Sequence, residues 1–155
     1  MRILFLSILS FLITFSAKAQ FPLSKAKGNL IIYGTPTIKQ DCNLGDIVEA
    51  VFYVKNISTD TVLIGQISPD CQCTHYLYPE KGIKPNSVDS ITLFYMSGNT
   101  PPGPYFKKTI VDFDDTNLEL NIEGNLTLVR NVIRKGQKPF IYEKKQIRVT
   151  NWPKK

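Results

Sequence analysis

Histidine is nearly missing from this chain: His75 is the single one in 155 residues. No Ser–His–Asp set is possible that does not use it. No glycine-rich loop of the kind that cradles phosphates is present. No stretch of a dozen residues repeats its apolar positions every 3.6 residues, so amphipathic helices are not expected. Internal repeats and low-complexity tracts are also lacking. Only one long apolar run occurs, Ile3 to Phe15, interrupted by Ser7, Ser10 and Thr14. It is short for a bilayer span and no second run follows. Cysteine is scarce, at three, and an odd number cannot all pair within one chain.

What the first residues do contain is a leader pattern. Met1-Arg2 starts positive, the apolar run follows, and Ala17-Lys18-Ala19 places small residues where a signal peptidase reads. Residues 1–19 are therefore predicted to be a signal peptide and Gln20 the new N-terminus. No cysteine stands at the cleavage point, which argues against a lipid anchor. The mature protein is expected to be exported, periplasmic or extracellular, with no transmembrane segment after cleavage.

Loss of residues 1–19 removes Arg2 and Lys18, taking the formal charge from +6 to +4. That charge is unevenly spread. Residues 20–129 hold eight Lys or Arg and twelve Asp or Glu, a balance of −4. Residues 130–155 hold nine Lys or Arg and one acid, Glu143, a balance of +8. A basic tail on an acidic body suggests contact with another envelope protein or an anionic surface glycan or lipid. Arg130, Arg134, Lys135, Lys144, Lys145 and Arg148, with Trp152 among them, are the candidate contacts. Nucleic acid is not expected outside the cytoplasm.

Between the leader and the tail the pattern is one of strands. Gln20 to Lys27 is mixed and reads as a flexible lead. Asn29 to Gly34 is a β-branched and aromatic run. Ile47 to Asn56 alternates, with Val48, Ala50, Phe52 and Val54 on one face. Thr61 to Ile67 follows, and then Tyr76 to Tyr78 as a short edge. Val88 to Met96 sets Ile91, Leu93 and Tyr95 on one face. Tyr105 to Phe113 and Leu118 to Gly124 flank the turn Asp114 to Asn117. Short strands at about ten-residue spacing predict an all-β, immunoglobulin-like antiparallel β-sandwich of about seven strands over residues 28–129. Residues 130–155 form the basic tail, with room for extra strands.

Chemistry concentrates in Cys71-Gln72-Cys73-Thr74-His75, where a strand breaks into a loop. Three arrangements of the cysteines fit the sequence. Cys42 bonded to Cys71 or Cys73 would close a loop of about thirty residues and stabilise by roughly 3 kcal/mol. A Cys71–Cys73 bond needs a turn, because residues two apart on a strand lie near the limit a disulfide can bridge. If all stay reduced, Cys71, Cys73 and His75 at i, i+2 and i+4 would share one strand face. Two thiolates and an imidazole suit Cu(I) or zinc, although structural zinc sites usually space their cysteines by two residues. A nucleophilic pair could only be Cys71 or Cys73 with His75, and neighbours at i+2 and i+4 diverge unless the backbone folds back. The chain is therefore expected not to be an enzyme and to hold no cofactor, with Cu(I) or zinc the alternative.

The order of these features resembles a known family. A strand ending Phe52-Tyr53-Val54-Lys55-Asn56 leads through a Val/Ile strand to Cys71-Gln72-Cys73-Thr74. Gly103-Pro104-Tyr105-Phe106-Lys107-Lys108 and Leu120-Asn121-Ile122-Glu123-Gly124 follow. This is similar to the secreted domain-of-unknown-function family 1573 of Bacteroidota, over roughly residues 45 to 125. The family usually has Gly where Gln72 stands and Pro-Gly where Pro85-Asn86 stands. The resemblance implies a sandwich of the Hydin and major-sperm-protein type and an exported protein. It implies no activity, because the family's function is unassigned. The reading it leaves is a binding module, with thiol-based metal or redox chemistry as the alternative.

Overall fold

A computed structural model describes residues 23–114, 116–129 and 144–152. Two sheets stack face to face. The first runs β1 (Leu23–Lys27), β2 (Leu30–Tyr33), β5 (Ile47–Asn56), β8 (Val88–Met96), β7 (Thr74–Leu77), with β11 (Gln146–Thr150) also on β5. The second runs β3 (Thr37–Lys39), β10 (Thr116–Thr127), β9 (Gly103–Phe113), β6 (Ile64–Pro69), with β4 (Cys42–Asn43) also on β10. The predicted all-β sandwich is present.

Alternation places the core. Val48, Ala50, Phe52 and Val54 of β5 are buried, as are Ile91, Leu93 and Tyr95 of β8. Val111 and Phe113 of β9 and Leu118, Leu120 and Ile122 of β10 come from the other sheet to the same core cluster. Each large apolar side chain taken fully from water contributes about 2 kcal/mol. The β9–β10 register pairs Phe113 with Thr116, leaving two residues for the turn, and Asp114 takes φ 47° there. Asp tolerates that left-handed region better than most residues, and two-residue hairpins favour it. Pro85-Asn86 makes the corresponding bend before β8. Asn86 has φ 57° and the Ser87 N–H reaches the Lys84 carbonyl at 3.1 Å.

Four features differ from the sequence-based expectation. Residues 23–27 pair with β2, although a bulge between Ser24 and Ala26 breaks the alternation that would signal a strand. The third strand begins at Ile64 instead of Thr61. Val62 leaves the ladder to bridge Ile83, and β6 carries an irregularity between Ile64 and Ile67. The sandwich is not wholly antiparallel: β3 and β4 run parallel to β10, and β11 runs parallel to β5. Finally, the described residues form eleven strand segments instead of about seven, because the N-terminal portion divides between the sheets and residues 146–150 add one.

Candidate functional site at the Cys-x-Cys corner

The corner lies where the chain crosses from one sheet to the other, between β6 and β7. Asp70 closes the β6 side. Its N–H donates to the Lys108 carbonyl at 2.9 Å, and its Oδ2 accepts from the Lys108 N–H at 3.1 Å. On the β7 side the Met96 N–H donates to the Cys73 carbonyl at 2.8 Å. Between these ties the chain turns, and the Thr74 N–H approaches the Cys71 carbonyl at 3.3 Å. The turn brings the two Cα atoms to 5.2 Å and joins Cys71 to Cys73 as a disulfide. Gln72 accomplishes this without the positive φ that a glycine would allow.

The staple through Cys42 is not formed. Cys42 is a free thiol, 5% exposed, on β4 beside Leu126. Burial pushes its pKa up, by more than side-chain hydrogen bonds with Tyr105 and Ser97 pull it down. It belongs to an inner cluster. Tyr95 and Tyr105 stack with centroids 4.7 Å apart, and the Tyr105 hydroxyl donates to the Gln40 carbonyl. Both phenols are also pushed up, chiefly by burial. The sequence left three arrangements open because connectivity is a property of three-dimensional placement, which spacing does not encode.

His75 does not join the sulfurs. The turn ends before it, so it lies on β7 opposite Phe94, exposed. Thr74, one residue earlier, turns inward and is buried. Its hydroxyl lies 3.6 Å from Cys71 Sγ. The expected single face of Cys71, Cys73 and His75 required an uninterrupted strand. Both sulfurs are engaged with each other, so neither is a thiolate ligand in this state. Among the described residues no group of three His, Cys, Asp or Glu is placed to hold a metal.

Beside the disulfide opens a cleft of about 710 Å³. Cys71 and Cys73 line it together with Met96, Thr100, Lys107 and Lys144. Lys107 also stands over the Tyr95 ring, 5.6 Å from its centroid. No Asp or Glu is among the described residues that line the cleft. Met96 and Lys107 were not singled out from the sequence. No local signal could have found them, since both neighbour the corner only through the pairing of β7 with β8 and of β6 with β9.

The basic tail is divided. Arg130, Arg134 and Lys135 lie outside the described residues. Lys144 and Lys145 are exposed, and Lys144 packs its stem by Gly45. Arg148 Nε lies 3.3 Å from Glu49 Oε1, and Gln146 Nε2 donates to Glu49 Oε2 at 2.7 Å. Trp152 packs its ring on Tyr33 and Tyr53, at centroid distances of 5.1 and 4.8 Å. Asn151 is buried, with Oδ1 accepting from the Tyr53 N–H at 2.8 Å. This last stretch is thus a strand of the first sheet as well as a set of surface cations. Among the described residues no helix is long and apolar enough to cross a membrane.

Two stacked sheets, with β3 and β4 parallel to β10, make an immunoglobulin-like sandwich. The ASH/PapD-like domain of human CEP192 (PapD-like domain 7) shares it, at TM-score 0.53 and 11% identity, over 70% of this chain and 93% of that one. The chain belongs to the family described as Protein of unknown function (DUF1573), which matches residues 37–126. A family 123 glycoside hydrolase from Clostridium perfringens contains a similar region. It has TM-score 0.51 and 12% identity, over 62% of this chain and 23% of that chain. Similarity at these identities concerns the fold. No curated protein matches the sequence.

Proposed function

We propose that this protein is an exported immunoglobulin-like interaction module of the bacterial envelope, which docks another envelope protein rather than catalysing a reaction. The observation that carries the reading is the β7 edge. β7 ends the path of the first sheet, and its outer edge pairs with no strand among the described residues. It presents Tyr76, 39% exposed, and Leu77, 63% exposed. An edge with free backbone groups and apolar side chains is a template for an added strand. The leader pattern in residues 1–19 supports export, and the fold is compatible with an interaction role. The anionic glycan or lipid suggested by the basic tail is the competing partner class.

A photo-crosslinking residue placed at Leu77 in the native host tests the reading. It should capture one discrete envelope protein, whereas the same residue at exposed Ile57 should not. Equal labelling at both positions, or none at Leu77, overturns it. Capture of glycan or lipid through the tail would transfer the role to that surface. Export is checked separately by N-terminal sequencing, which should begin at Gln20.

A further inference from the structure

We propose that the Cys71–Cys73 disulfide and its adjoining cleft form a thiol–disulfide exchange site for a small anionic thiol. Four observations converge. A single residue separates the two cysteines, and both are half-buried residues lining an open cleft, Cys73 also packing against the core. The cleft volume, about 710 Å³, lies in the range of small-molecule sites. Its charged lining is cationic, Lys107 and Lys144, with no carboxylate among the described residues. A buried hydroxyl, that of Thr74, already contacts Cys71 Sγ. A disulfide serving only as a turn staple requires neither the cleft nor its charge.

The chemistry balances with two equivalents of thiol. The first thiolate attacks Cys73 Sγ and forms a mixed disulfide there. The Cys71–Cys73 bond breaks, and its electron pair leaves on Cys71 Sγ. The Thr74 hydroxyl can donate to that thiolate, and the neighbouring cations favour it. A second thiolate attacks the external sulfur of the mixed disulfide. The small disulfide departs, and Cys73 is released as a thiolate. Two electrons pass from the small thiols to the protein, and the two protons the thiols lost end on Cys71 and Cys73. The reverse sequence reoxidises the pair and consumes one small disulfide. Lys107 and Lys144 attract the anionic reactant and stabilise each thiolate. They would not attract a cationic thiol.

The full-length protein is treated under native conditions with millimolar glutathione, an anionic thiol, or cysteamine, a cationic one. Alkylation and peptide mass then follow Cys71 and Cys73. Per unit of thiolate, glutathione should react about tenfold faster than cysteamine, because two nearby charges act in partly screened surroundings. The double substitution Lys107→Gln, Lys144→Gln should bring the two rates together. If that variant does not fold, high salt on the unaltered protein should do the same. Thr74→Val should slow reduction by either thiol, and Thr74→Ser should restore it. The proposal is overturned if folded protein resists both thiols, if their rates are equal, or if the preference ignores both salt and the lysines.

Discussion

Asp46 Oδ1 accepts a hydrogen bond from the backbone N–H of Lys145, ninety-nine positions further along the chain, at 2.9 Å. Its other oxygen, Oδ2, accepts from the Asn43 N–H at 2.9 Å. One buried carboxylate therefore organises the turn entering β5 and fixes the start of β11. The Ile47 N–H, next in the chain, continues the same seam by donating to the Lys145 carbonyl at 2.9 Å.

Asp46→Ala should remove both contacts and leave backbone donors without them. A loss of about 2–3 kcal/mol is expected for buried groups bonded to a charged acceptor. Urea unfolding measures it. Trp152, the single tryptophan, reports on the other end of the same strand. Its fluorescence should become more accessible to a soluble quencher in the variant. An unchanged midpoint and unchanged quenching would show that β11 docks without Asp46.

Asn56 fills an equivalent role at the far end of β5. It is fully buried, and its Nδ2 donates to the Asp60 carbonyl at 2.7 Å and the Ile83 carbonyl at 2.8 Å. Its Oδ1 accepts from the N–H and hydroxyl of Ser58, at 2.8 and 2.7 Å. Asn56→Ala should cost about 3 kcal/mol, since it leaves the Asp60 and Ile83 carbonyls without these donors and the Ser58 N–H without its acceptor. Ser58→Ala, which removes only the hydroxyl, should cost less than half of that. Equal losses would contradict this division.

Gly34 has φ +76°, and a Cβ there would run into the Asn151 carbonyl. Gly34→Ala combines backbone strain with displacement of residues 151–152, so a loss above about 1 kcal/mol is expected. Thermal unfolding checks the loss. The Trp152 emission should shift in the folded state as its packing on Tyr33 and Tyr53 is disturbed.

The cluster of Cys42, Tyr95 and Tyr105 sets the response to alkali. All three are acids whose pKa burial raises, from ordinary values of 9.0 for the thiol and 10.0 for the phenols. Above those values the unfolded chain loses protons that the folded chain keeps. Stability is therefore fully present below about pH 9 and falls as pH rises beyond it. The urea midpoint should decline between pH 9 and 11, and Tyr105→Phe should flatten part of that decline. Iodoacetamide should leave Cys42 unmodified at neutral pH until the protein unfolds.

The sequence made some elements easy to find and hid others for physical reasons. β5 and β8 were legible because Val48, Ala50, Phe52 and Val54 face Ile91, Leu93 and Tyr95 across one core, and period-two alternation records that directly. Asp114 and Asn86 marked their turns because few other residues accept positive φ. β11 was legible only as a possible strand. Gln146-Ile147-Arg148-Val149 alternates, but nothing local says that it lies parallel to β5. Asp46 and Asn56 carry no local signal of their roles, since their partners lie far away in sequence or are backbone groups. The corner was conspicuous for its composition. Its connectivity followed from a turn at Gln72 that no residue there advertises.

β2 and β11 share one edge of β5: β2 pairs with Val54 to Asn56, and β11 with Ile47 to Val51. The lower half of that edge has no neighbour until residues 146–150 have been synthesised. A nascent chain on the ribosome can close β5 onto β8 early, yet it carries an open ladder of backbone groups until the last strand arrives. Such a ladder is where a chaperone would hold the growing polypeptide and where premature association would begin. Pairing across ninety-nine positions also places this step among the slow events of folding.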